Sequence, residues 1–172
     1  MALLSLPSIP PGADVFVDAN VFLYHFHGTS IQCTNFLSRC AREEICGVTN
    51  FEVVAEVVHR AMMAEAIAGG VIPRARAADL RGLPEAIRRL SSYWTSASRI
   101  FSMNLLLLES GEDRHRLAQD LRRTHGLMTN DSLIAAAMKS YGVRSIATRD
   151  GDFERVVEFD VYRPDDIQLG AL

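Results

Sequence analysis

Residues 15–24, VFVDANVFLY, decide how the rest of the chain is read. Val15, Phe16 and Val17 make a short apolar run with Pro-Gly shortly before it, the pattern of a strand buried on both faces, and the residues after Asp18 read as a helix. Asp18 therefore sits where a strand hands over to a helix. In an open parallel sheet such strand ends line one edge, so carboxylates far apart in sequence can meet in one pocket. Three more acids sit near strand or helix boundaries: Glu56 in TNFEVVAEVVHR (49–60), Asp131 in GLMTNDSLIAAAM (126–138) and Asp150 in SIATRDGDF (145–153).

Working outward, Gly28 breaks the first helix, and Thr29 or Ser30 can cap a second running to about Arg42. EICGVT is a brief strand. Thr49 with Glu52 has the capping-box spacing and opens a helix with apolar residues at Phe51, Val54, Val58 and Met62. Arg74 to Arg99 reads as one or two helices interrupted by Gly82 and Pro84. IFSMNLLLL is strand-like, GEDRHRLAQDLRRTHG a polar helix and NDSLIAAAMKSYG an apolar helix closed by Gly142. VRSIAT is a buried strand ending at Thr148, and a last short strand precedes an acidic tail. Strands alternating with helices predict an α/β fold with a parallel sheet covered on both faces.

The 172 residues suit a single domain: a proline-rich lead over 1–12, a core over 13–160 and a C-terminal tail over 161–172. A composition 48% hydrophobic and 23% charged is that of a globular chain, and no run approaches the ~18 apolar residues of a membrane span. The lead has no basic residue before its short apolar stretch, so it fits no secretory signal, and a cytoplasmic protein is expected. Cys33, Cys40 and Cys46 form no CxxC pair, which argues against a disulfide framework or structural zinc. No GxxxxGK[ST] or GxGxxG segment supports nucleotide or dinucleotide chemistry.

Net charge is -3, yet of the 18 basic residues Lys139 is the single lysine. Arginine forks onto phosphate with two parallel hydrogen bonds, while a genome-wide bias towards arginine explains the same count. Between 74 and 99, six arginines (Arg74, Arg76, Arg81, Arg88, Arg89 and Arg99) stand against Asp79 and Glu85, either a phosphate-binding face or a solvated outer helix.

An isolated Asp18 could simply be a helix cap. Asp131 is freer, because Thr129 or Asn130 suffices to cap its helix. Glu56 interrupts the apolar face VVAEVV, where a glutamate needs a partner: a divalent cation shared with Asp18 and Asp131, or Arg60 one turn away. Asp150 and Asp152 flank Gly151 after a strand, and either could complete the pocket, with Thr148 placed to orient a carboxylate. Oxygen-only ligation favours Mg2+ or Mn2+, and such a site hydrolyses phosphodiesters or phosphomonoesters.

Together VDANVFLY, the Glu56 helix, TNDSLIAAAM and TRDGDF resemble the PIN-domain nucleases, especially the VapC-type toxins of toxin-antitoxin pairs, over about residues 13–160. The resemblance implies a three-layer α/β/α sandwich with a central, mainly parallel sheet. It also implies a metal-dependent endoribonuclease using Mg2+ or Mn2+ on RNA, a cognate antitoxin partner and a homodimer. Carried over by motif, Asp18, Glu56, Asp131 and Asp150 are the catalytic and metal-holding acids, with Asp152 a substitute ligand and Asn20 and Thr148 in support. Glu52, a turn before Glu56, is the other candidate for the second acid. Arg149 and the arginines Arg74, Arg76, Arg88 and Arg89 would meet RNA. The alternatives are a housekeeping RNA-processing nuclease and a non-cleaving PIN-like module that binds RNA or protein. A haloacid-dehalogenase-type phosphatase would want an aspartate where Asn20 stands.

Overall fold

The computed structural model describes residues 4–168, so the first three residues of the lead and the last four of the tail lie outside the described residues. The chain forms β1 (Leu4–Ser5), β2 (Asp14–Val17), α1 (Ala19–Phe26), α2 (Ile31–Ala41), β3 (Cys46–Asn50) and α3 (Phe51–Ala68). There follow α4 (Ala77–Arg81), α5 (Pro84–Ile87), α6 (Ser92–Ser98), β4 (Leu106–Leu108), α7 (Glu112–His125), α8 (Thr129–Tyr141), β5 (Ser145–Ala147) and β6 (Asp160–Arg163).

All six strands join one sheet in the order β1-β6-β5-β2-β3-β4, and every neighbouring pair is parallel. Helices flank it in the expected α/β arrangement. Its centre is dry because β2 carries Val15, Phe16 and Val17, all fully buried, against Ile146 and Ala147 of β5 and Val48 of β3. Phe22 from α1 and Ile134 and Met138 from α8 pack into the same core. A Phe22→Ala cavity there would cost about 3–5 kcal/mol. After β2 the chain steps outward through β3 and β4, then returns to β5 on the opposite flank of β2. In open sheets of this kind, ligands bind outside the carboxyl ends of the strands that flank such a reversal, here β2 and β5.

A second, smaller cluster of Met63, Ala66, Ile72 and Leu80 ties the far half of α3 to α4. Among the described residues no helix is long and apolar enough to cross a membrane.

Several local expectations change. Leu4–Ser5, within the proline-rich lead, adds an edge strand by pairing with Tyr162 and Arg163. Thr49 and Glu52 form no capping box: Thr49 Oγ1 donates to the Val17 carbonyl across the sheet (3.0 Å), and Asn50 caps α3 by accepting from the Val53 amide (2.9 Å). Val53, Val54, Val57 and Ala61 form the core face of α3, while Phe51 at its start is exposed. Arg74–Arg99 breaks into three short helices rather than one or two. IFSMNLLLL is strand only at its end, because Asn104 takes a left-handed conformation (φ 56°) that interrupts extension. Neither Thr129 nor Asn130 caps α8; the helix begins at Thr129 after Met128 with no side-chain cap. Gly142 closes α8 at φ 69°, in the left-handed region where a β-carbon is strained.

Candidate active site

Asp18 follows the last residue of β2, and its amide donates to the Ala147 carbonyl of β5 (3.1 Å), so the backbone at the sheet centre fixes its position. Its side chain caps α1 by accepting from the Ala19 amide (2.6 Å) and also accepts from the Asn20 amide group and the Thr148 hydroxyl (2.6 Å). The cap reading of Asp18 holds, and the carboxylate is buried among these partners.

Thr148 connects the cluster. Besides donating to Asp18, its Oγ1 accepts from Asn20 Nδ2 (3.0 Å) and from the Asp150 amide (2.9 Å), which uses the whole capacity of a hydroxyl. Asn20 Oδ1 accepts from the Arg149 amide (3.1 Å), and Asp150 Oδ1 accepts from the Asp152 amide (2.9 Å). The TRDGD turn is thus anchored on the start of α1 by side chains.

Glu56 and Asp131 approach from α3 and α8. Arg60 lies 3.5 Å from Glu56 Oε1, and Asn130 Nδ2 donates to Oε2 (3.3 Å). Asn130, read only as a cap, is instead the residue that ties α8 to the α3 acid. The adjacency of Asn130 to Asp131 in TND was the only signal for this in the sequence.

The acids act on one another. Burial pushes the Asp18 carboxyl up to about 6; the Thr148 hydroxyl and Ala19 amide oppose the rise, and the charges of Glu56 and Asp150 add to it. Asp131 is likewise raised to about 6, first by burial and then by Asp150, Asp152 and Glu56. Glu56 and Asp150 therefore bear on both aspartates. Asp152 bears on Asp131 and is engaged with Arg155 (3.0 Å). Glu52 leaves Oε2 buried with no hydrogen-bond partner.

Among the described residues no three of these acids converge tightly enough to enclose an ion. Their chemistry nevertheless fits one. Two carboxyls raised by burial and by like charge are groups that a cation would return to the ionised form, and the donors are all hard oxygens, suited to Mg2+ or Mn2+.

The arginines divide. Arg149 is exposed beside the pocket, with its amide on Asn20. Arg74 and Arg76 stand 3.8 and 3.7 Å from Asp79, and Arg88 pairs with Glu85. Arg89 is exposed just after α5. The cluster that carries this arm is centred near Ala66, ten residues beyond Glu56 on α3 and so about 15 Å further along the helix.

The sequence matches the PIN domain family over residues 15–158. It is 25% identical over 142 residues to Ribonuclease VapC2 of Methanocaldococcus jannaschii, covering 83% of this chain and 88% of that one. Ribonuclease VapC6 of the same organism is 26% identical over 152 residues, covering 84% and 93%. A chain in the crystal structure of VapBC2 from Rickettsia felis, bound to a promoter DNA fragment, shares the fold with a TM-score of 0.57 at 16% identity, over 88% of this chain and 99% of that one.

Proposed function

Because the chain belongs to the PIN-domain family, we propose that it is a metal-dependent endoribonuclease that hydrolyses RNA phosphodiester bonds, acting as the toxin of a toxin-antitoxin pair. The curated relatives named Ribonuclease VapC support this reading. The observation that carries it is that Asp18 and Asp131, 113 positions apart, both feel the charges of Glu56 and Asp150, which add to the rise that burial gives each carboxyl.

In this reading the four acids hold Mg2+ or Mn2+, with Asp152 at the margin. When bound, the cation supplies Lewis-acid polarisation of the phosphodiester and a water of lowered pKa. The protein's own part is positional. Thr148 and Asn20 aim the Asp18 carboxylate, the Thr148 hydroxyl holds the Asp150 amide, and Asn130 and Arg60 orient Glu56. Arg149 borders the pocket as a contact for RNA phosphate.

The partner in this reading is a small cognate antitoxin, supported by the VapC relatives and by the fold shared with the VapBC2 complex. A homodimer is part of the same proposal, and sedimentation equilibrium of the purified chain tests it.

The test of function is cleavage of a pool of labelled RNAs with Mg2+, with Mn2+ and with EDTA. Wild type cuts only with metal, and Asp18→Asn and Asp131→Asn abolish cutting while leaving the fold intact. RNA bound but never cut, from protein free of any co-purified antitoxin, would overturn the nuclease.

A further inference from the structure

Arg99 is immobilised by its neighbours without being neutralised. Its guanidinium lies over the Phe26 ring, 5.3 Å from the centroid, and Phe26 stacks on the buried Phe22. Its Nη2 donates to His25 Nε2 at 3.4 Å. Arginine only donates, so His25 Nε2 accepts and Nδ1 carries the proton, which it gives to Thr34 Oγ1 (3.0 Å); Thr34 in turn donates to the Ser30 carbonyl. Among the described residues no carboxylate lies within ion-pair distance of Arg99, and it is exposed. Arg74, Arg76 and Arg88, which sequence alone marks as RNA contacts, each have an acid.

α1 stands between Arg99, which lies on its last residues, and α3, on which it packs. Glu65 of α3 accepts from the amides of Ser91, Ser92 and Tyr93 at the start of α6, and α6 packs on α3. The turn after α6 then brings Arg99 to the end of α1. There His27, two residues from His25, lies close enough to Arg60 to feel its charge, and Arg60 lies against Glu56. Burial first, and then Arg99 and Arg60 respectively, lower the two histidines.

We propose that Arg99, at the end of α1, is the preorganised clamp of a phosphate track that leads a single-stranded RNA away from the acidic pocket. The inference rests on the ribonuclease reading and deepens it. A guanidinium already held over an aromatic ring loses less freedom on gripping a phosphate than a free one, and its planar fork can engage two phosphate oxygens. Base-specific contacts are not required, so the track is tolerant of sequence.

The test is fluorescence anisotropy of a labelled, unstructured RNA with the full chain in EDTA, where nothing is cut, at several salt concentrations. Arg99→Gln is expected to weaken binding about 5- to 10-fold and to lower the salt slope by about 0.7, the loss of one phosphate contact to a single strand. Arg88→Gln, on the outer arm, leaves both unchanged. Should Arg99→Gln melt early, crosslinking of wild type to 4-thiouridine RNA reads the same question, with adducts expected on the segments around 25–27 and 99–102. Unchanged affinity and slope for folded Arg99→Gln, or adducts confined to 74–89, would overturn the track and leave Arg99 to an acidic protein partner. Adding Mn2+ separates the two claims: RNA bound through Arg99 yet never cut keeps the track and removes the nuclease, whereas RNA cut with no dependence on Arg99 does the reverse.

Discussion

Thr148 Oγ1 donates a 2.6 Å hydrogen bond to Asp18 Oδ2 across 130 positions of sequence, joining the ends of the two central strands by side chains as well as by backbone. The same oxygen accepts from Asn20 and from the Asp150 amide, so one hydroxyl orients two of the four acids.

Replacing that hydroxyl by a methyl in Thr148→Val leaves Asp18, Asn20 and the Asp150 amide each short of a partner. Stability is expected to fall by about 1–3 kcal/mol, and Mn2+ affinity by about 10- to 100-fold, the usual cost of losing a group that orients a ligand. Denaturant melts and a calorimetric Mn2+ titration measure the two effects. A metal affinity equal to wild type would show that Asp18 needs no such support.

Stability without metal should depend on pH through Asp18. Folded, it holds its proton up to about pH 6; unfolded, only to its ordinary 3.8. Between those values the unfolded chain releases the proton first, so the contribution falls as pH rises from about 4 to 6 and stays low above that, by up to about 3 kcal/mol. The comparison to make is wild type against Asp18→Asn in EDTA, because Glu65 titrates in the opposite sense, its backbone amide donors outweighing burial. The variant gains on wild type across that window, and a difference independent of pH would contradict the raised carboxyl.

Metal should cancel that penalty. A divalent cation binding the ionised acids raises the melting temperature at pH 7.5 and does so less below pH 6, where Asp18 and Asp131 carry protons. Thermal scans with Mn2+ and with EDTA at the two pH values read this directly; an increment unaffected by pH would place binding elsewhere.

Asp150 and Asp152 are separable. Asp150 bears on both raised aspartates and is tied to Thr148, whereas Asp152 bears on Asp131 and engages Arg155. Asp150→Asn is expected to lower RNA cleavage at least about 100-fold and Asp152→Asn less than about 10-fold. The reverse order in single-turnover assays would make Asp152 the fourth acid.

Glu65 receives three amides at the start of α6. Glu65→Ala leaves that helix end uncapped at a cost of about 1 kcal/mol, and hydrogen exchange should quicken over 77–102 while β2 and β5 stay protected. Uniform acceleration would show that the arm and the core open together.

What the sequence determined by itself is local and periodic. Apolar runs such as VFV and SIA, each flanked by a turn or an acid, specify central strands because only a sheet covered on both faces buries every side chain of such a run. Alternation with helices then leaves a parallel sheet as the consistent topology, and the carboxyl ends of its strands can be read as a common edge. Asp18 follows β2 and Asp150 follows β5, so these two could be assigned to that edge from sequence, whereas Glu56 and Asp131 lie on helices whose packing against it no local pattern states.

Tertiary structure alone decided what depends on partners distant in the chain. Thr49 has capping-box spacing but turns its hydroxyl to Val17, because a neighbouring strand offers it a carbonyl, and Asn50 becomes the cap. Leu4–Ser5 carries too little pattern to announce a strand and becomes one because β6 presents an open edge. The arginines of the 74–99 segment look alike in sequence; packing gives Arg74, Arg76 and Arg88 acids nearby and carries Arg99 back to Phe26 and His25. Periodicity reports which face of an element is buried, but only three-dimensional proximity fixes which group neutralises, orients or leaves open a given charge.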